Sequence, residues 1–117
     1  MTAKKIVNKT AEKIVKEAKT LCSMLFKEKL QDVYLYGSYA RGDFNKYSDV
    51  DILVTVDMDD EQLIKYRKFI MKIDHELTWK YDIIVSIITV PTGRFSRFVD
   101  ILPFYRNVKA EGINYGN

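Results

Sequence analysis

The chain of 117 residues is 47% hydrophobic and 30% charged, with a formal net charge of +3 and one cysteine, a balance that fits a soluble globular domain with one modest core. No apolar run approaches the roughly 20 residues of a membrane span, Met1-Thr2-Ala3-Lys4-Lys5 lacks the apolar stretch of a signal peptide, and the lone Cys22 forms no internal disulfide, so one cytoplasmic domain over residues 1–117 is expected. The mild positive charge permits contact with nucleic acid or an acidic partner without demanding either.

Residues 3–30 carry the longest helical pattern. Val7, Ala11, Ile14, Ala18, Leu21 and Leu25 recur at steps of three and four and form an apolar stripe. The lysines Lys4, Lys5, Lys9, Lys13, Lys16 and Lys19 are spread around the remaining surface without interleaved aromatics, which favours a solvated face over a nucleic-acid surface. Cys22 falls within the apolar pattern and reads as a buried structural thiol.

A first strand is expected over residues 32–36, with Val33 and Leu35 alternating against Tyr34 and Tyr36; these tyrosines read as packing residues, one of which could line a site. Gly37 ends the strand and Ser38 follows it. A Gly-Ser turn offers close backbone approach, exposed amides and a hydroxyl, which suits a phosphate. Residues 39–42 should form a helical turn. Arg41 has two readings: it contacts phosphate, or it anchors the loop through Asp43 or Asp49. A polar loop follows, with Ser48 placed to order the next strand.

The second strand, residues 50–56, is preceded and entered by two carboxylates, Asp49 and Asp51. Two residues apart on a strand, they leave the same face. Like charges so placed repel; a divalent cation removes the repulsion, and hard oxygen ligands suit Mg²⁺. Carboxylates facing a phosphate-cradling turn point to metal-assisted phosphoryl or nucleotidyl transfer.

The acidic run Asp57 to Glu61 reads as the capped start of a helix over residues 61–79, whose stripe is Leu63, Tyr66, Ile70, Ile73 and Leu77. His75 reads as a surface residue, and no Cys/His zinc pattern is present. A third strand is expected over residues 82–90, apolar enough to suggest burial on both faces. Pro91-Thr92-Gly93 breaks the chain, residues 94–101 suit a short helix, and Pro103 opens another that Gly112 ends. The tail, residues 113–117, carries no recognisable chemistry.

Gly37-Ser38, ten residues, then Asp49-x-Asp51 resembles the signature of the DNA polymerase beta-type nucleotidyltransferase superfamily. The fuller string, Gly37-Ser38-Tyr39-Ala40-Arg41-Gly42 through Ser48-Asp49-Val50-Asp51-Ile52-Leu53-Val54, with Pro103 to Val108 leading into Glu111-Gly112, resembles its minimal nucleotidyltransferase (MNT) branch. The resemblance implies an α/β (α+β) fold: a small mixed sheet of three to four strands flanked by helices. It implies Asp49, Asp51 and Asp82 as catalytic and metal-binding carboxylates, holding two Mg²⁺ ions, with Asp82 helping to deprotonate an acceptor hydroxyl. It further implies Gly37, Ser38 and Arg41 as the residues that bind ATP, the nucleotide substrate.

Stand-alone proteins resembling this chain act as antitoxins beside a HEPN ribonuclease toxin and transfer AMP to a toxin tyrosine. Protein adenylylation of such a partner, within a hetero-oligomer, is the leading expectation. Transfer to a small aminoglycoside-like acceptor, and neutralisation of a partner by binding alone, are the alternatives. The resemblance leaves the modified hydroxyl and the nucleobase open.

Overall fold

The computed structural model describes residues 7–116. Its strands β1 (Leu30–Tyr36), β2 (Val50–Val56), β3 (Val85–Pro91) and β4 (Ile113–Asn114) form one sheet in the order β3-β2-β1-β4. β1 runs antiparallel to both β2 and β4, and β2 runs parallel to β3. The helices are α1 (Lys9–Phe26), α2 (Ser38–Arg41), α3 (Asp60–Ile64), α4 (Arg67–Tyr81), α5 (Thr92–Phe98) and α6 (Pro103–Glu111). This is the mixed, helix-flanked sheet expected of the sequence. The parallel pairing requires a long crossover, and α3 and α4 supply it.

Strand alternation sorts the side chains between two cores. Val33 and Leu35 of β1, Val50, Ile52, Val54 and Val56 of β2, and Val85 and Ile87 of β3 pack beneath α1 and α4. Tyr34, Leu53 and Val90 leave the opposite face and meet Phe95 of α5 with Tyr105 and Val108 of α6. Asp51 lies between Val50 and Ile52 in β2, so it leaves the face that α5 and α6 cover.

α1 begins at Asn8, whose side chain accepts the amides of Thr10 and Ala11, each at 3.0 Å. Its fully buried residues include Ala11, Ile14, Val15, Ala18 and Cys22, whereas Leu21 and Leu25 are only partly buried. The stripe is thus rotated by about one residue from the sequence expectation, because α1 must meet α4 as well as the sheet. The helix ends at Lys27, with φ 54°, and a 3₁₀ turn over Lys27–Lys29 leads into β1. The expected helical residues 3–6 lie outside the described residues.

The single helix expected over residues 61–79 is two. The amide of Tyr66 turns back to the carbonyl of Leu63 at 2.9 Å, an i to i−3 bond that separates α3 from α4. Asp59 caps α3 as expected, in a reciprocal pair of bonds with Gln62 at 2.8 and 3.0 Å. His75 is exposed on α4.

β3 differs more. It starts at Val85 and forms an edge of the sheet, so its burial on the two faces is incomplete: Val85 and Ile87 sit in one core and Val90 in the other, while Ile88 is 39% exposed. Two outward amides of this edge, those of Val85 and Ile87, donate to Thr78 Oγ1 and Asp74 Oδ1 of α4, both at 3.0 Å. Pro91, at the end of the edge, has no amide to offer. Side-chain caps and a proline leave little of β3 open to pairing with another strand. The tail contributes the short β4, with Ile113 opposite Leu35 and Asn114 opposite Tyr34.

Candidate active site

Gly37 connects β1 to α2 with φ 77° and ψ −157°, a conformation open essentially only to glycine. A Cβ built there would stand 2.6 Å from Asp51 Oδ2. The turn therefore lies directly against the carboxylate of the neighbouring strand. After it, the amides of Ala40 and Arg41 close on the Gly37 carbonyl at 3.1 and 3.0 Å. The amides of Ser38 and Tyr39 precede these first helical bonds and carry no intrahelical partner. Tyr39 stacks on Phe44, with ring centroids 4.4 Å apart and planes 14° apart, which holds α2 against the loop that follows. That loop is shaped by its own side chains: Asn45 Oδ1 accepts the Tyr47 amide at 2.8 Å, and Ser48 Oγ accepts the Asn45 amide at 2.9 Å. Ser48 thus orders the approach to β2.

Asp49 is exposed and stands just before β2; Asp51 is half-buried within it. Burial and then the negative charge of Asp49 raise the Asp51 carboxyl above its ordinary range, while Arg41 pulls it back. The two carboxylates thus repel each other at Asp51. A bound cation would relieve that repulsion. In the sheet register Asp51 lies between Tyr36 of β1 and Ser86 of β3. The Tyr36 phenol is pushed up to about 12, first by burial and then by Asp51, so it stays protonated beside the carboxylates. Its ring meets Phe104 of α6 edge-on, 5.5 Å between centroids. Of the two tyrosines read as packing residues, Tyr34 packs and Tyr36 borders the site.

Arg41 ends α2. Its Nε meets Asp43 at 3.2 Å and its Nη1 meets Glu111 at 3.5 Å. In this structure it anchors the loop, and its charge still reaches Asp51.

Asp82 is not on a strand. It ends α4 in the left-handed conformation, φ 54° and ψ 36°, with its amide on the Thr78 carbonyl at 2.9 Å. It is exposed and lies three residues before β3, whose first residue, Val85, is level with Val50. Aspartate tolerates the left-handed turn better than most residues, which explains its presence there. Among the described residues no three carboxylate, histidine or cysteine side chains come together as a metal-holding group. The structure therefore brings Asp49, Asp51, Gly37 and Ser38 together with Arg41 alongside, and places Asp82 at the end of α4, outside any three-residue metal-holding group among the described residues. Ser86 and Glu111 were not legible as site neighbours: one is placed by strand register, the other by the docking of α6.

A cavity of about 430 Å³ lies along the outer edge of β3, between Leu63, Arg67 and Asp74 and the strand.

Comparison with known proteins places this geometry. The profile of the nucleotidyltransferase domain family matches residues 9–109. A protein of Methanocaldococcus jannaschii, provisionally named protein adenylyltransferase MJ0141, is 39% identical over 92 residues, covering 79% of this chain and 91% of that one. A second from the same organism, provisionally named protein adenylyltransferase MJ0604, is 30% identical over 101 residues, covering 86% and 93%. The fold is similar to that in a crystal structure of a mutant MntA–HpeT toxin–antitoxin pair: TM-score 0.55, 19% identity, 87% of this chain and 73% of that chain. It is also similar to one in the complex of a tri-AMPylated Shewanella oneidensis HEPN toxin with MNT antitoxin: TM-score 0.51, 18% identity, 92% and 73%. At these identities the structural likeness is one of fold. The match along residues 9–109, together with a relative 39% identical across nine-tenths of its length, shows that this chain belongs to the nucleotidyltransferase domain family.

Proposed function

We propose that this protein is a protein adenylyltransferase that serves as an antitoxin, transferring AMP from ATP to a tyrosine hydroxyl of a HEPN-type toxin. The observation that carries the reading is the contact between the Gly37 turn and Asp51, which sets the amides at the start of α2 beside two mutually repelling carboxylates. The exposure of Asp49 at the mouth of β2 favours an acceptor that brings its own shape, such as a folded protein. The relatives' names as protein adenylyltransferases support protein as the acceptor class. Fold-level likeness to an MNT antitoxin bound to an AMPylated toxin, and to a toxin–antitoxin structure with AMP-PNP, supports the partner and the nucleotide.

Asp49 and Asp51 are the residues that would hold Mg²⁺. Two hard oxygen donors in mutual repulsion fit such an ion, which would also take oxygens from substrate phosphates and water. Asp82, at the end of α4, completes no three-carboxylate group with them among the described residues. When bound, Mg²⁺ would supply charge neutralisation on the phosphates and a lowered pKa for the attacking hydroxyl. Gly37 lets the turn lie against Asp51 because it lacks a Cβ, and the Ser38 amide and hydroxyl would donate to the phosphates. Arg41 adds positive charge at the same end. The acceptor oxygen bonds to the α-phosphorus, the bond to pyrophosphate breaks, and the hydroxyl proton leaves through the carboxylate pair to solvent. Transfer is direct, with no covalent intermediate on the protein.

The test is intact-mass spectrometry of the protein with its co-purifying partner after incubation with ATP and Mg²⁺. The partner should gain one or more adenylate masses. The double variant Asp49→Asn/Asp51→Asn should abolish the gain while melting at an equal or higher temperature, because it removes two repelling charges. Adenylylation that persists in the folded double variant would rule out this site.

A further inference from the structure

We propose that Glu111 is a positioning residue for nucleotide binding: with Asp43 it holds the Arg41 guanidinium as a pre-set phosphate ligand. This rests on the nucleotidyl-transfer reading above.

The ion pairs engage two of the three guanidinium nitrogens, Nε with Asp43 and Nη1 with Glu111. Neither involves Nη2, which keeps two donors for an incoming anion. A guanidinium is a rigid planar fork, so fixing it from two sides also fixes the direction of its remaining donors. The positive end reaches Asp51, the residue that the Gly37 turn touches. Arg41 is therefore held beside the expected phosphate position by carboxylates that are not the metal-binding pair.

The two tethers differ in kind. Asp43 is local, two residues from Arg41. Glu111 comes from the far end of the chain, and the fold takes care to place it. It is the last residue of α6, and the Gly112 amide closes that helix on the Val108 carbonyl at 2.8 Å. A Cβ on Gly112 would stand 2.2 Å from the Val108 carbonyl oxygen and 3.1 Å from that of Leu35. Ile113 then pairs with Leu35, two residues before Gly37. The end of α6 is thereby locked to the strand that carries the phosphate turn. Ion pairs as exposed as these, with side chains 43% and 45% accessible for Arg41 and Glu111, contribute little to stability. Their consequence is geometric: they reduce the freedom that Arg41 must lose when a phosphate binds.

The experiment is calorimetric titration of a non-hydrolysable ATP analogue with Mg²⁺ into the full chain, Glu111→Gln, Arg41→Ala and the double variant. Glu111→Gln should raise Kd roughly threefold to tenfold with a melting temperature close to that of the unaltered protein. Arg41→Ala should raise Kd at least as far, and adding Glu111→Gln to it should change nothing more, because Glu111 acts through Arg41. An unchanged Kd in Glu111→Gln, or an equal further loss in the Arg41→Ala background, would overturn the assignment while leaving the transfer reading in place. Failure of the unaltered protein to bind the analogue would instead defeat the transfer reading, and this assignment with it.

Discussion

Gly37 and Gly42 both have positive φ, 77° and 91°, yet their surroundings differ. A Cβ at Gly37 meets the Asp51 carboxylate, whereas at Gly42 it meets nothing within 4 Å. Gly37→Ala therefore combines a disfavoured backbone with a collision at the chemistry, and Gly42→Ala carries backbone strain alone. Each should lose about 1–3 kcal/mol of stability, read by urea melts, but only Gly37→Ala should lose adenylate transfer, by more than tenfold in a mass-spectrometric assay under conditions where both variants are folded. Equal transfer by the two would mean that the Gly37 turn does not seat the phosphates. At this scale the sequence was most informative. The Gly37-Ser38 turn and the Asp49/Asp51 pair were each legible because a turn and a two-residue spacing are local properties; the antiparallel β1–β2 register then brings them together. Asp82 was less legible, since a conformational preference at a helix end is as good a reason for an aspartate as a ligand role.

Between elements, α4 and β3 are joined by side chains that cap an exposed sheet edge, and one of them titrates. Burial pushes the Asp74 carboxyl up to about 6, against the pull of its bond from the Ile87 amide and of the neighbouring His75. An unfolded aspartate titrates near ~3.9. Folding thus favours the protonated form, and this contribution is complete below about pH 4 and lost as the pH rises through about 6. Asp74→Asn keeps an oxygen acceptor for the Ile87 amide and removes the charge. It should stabilise the protein at pH 7 by ~1–2 kcal/mol, a figure reduced for solvent screening of a half-exposed group, and by almost nothing at pH 4. Urea melts at the two pH values test this; a gain independent of pH would refute it. The element itself was only partly legible. The run from Asp82 to Val90 has the composition of a central strand, but which neighbour a strand finds is not written in its own residues. Here its apolar side chains are divided between the two cores, and the free edge is closed by Thr78 and Asp74.

Over the whole molecule, α1 lies across the sheet with Cys22 inaccessible in the core between α1 and α4. Burial, and secondarily the charge of Asp74, push its thiol up to about 12. In the native protein Cys22 should resist a disulfide reagent at pH 8, and its modification rate should follow global unfolding as urea is added. Rapid modification without denaturant would show that the packing of α1 opens on its own. The sequence by itself determined the helices and strands whose periodicities differ, the glycine turn, the adjacent carboxylates and the burial of Cys22, because each depends on residues within a few positions of one another. Only the tertiary structure decided that Tyr36 and Ser86 flank Asp51, that the tail returns as β4, that Asp82 stays at a helix end, and that Glu111 reaches Arg41. Those outcomes depend on strand register and on the docking of α6. Both are set by how two cores pack on opposite faces of one sheet, a balance that sums over the whole chain and leaves no mark at any single position.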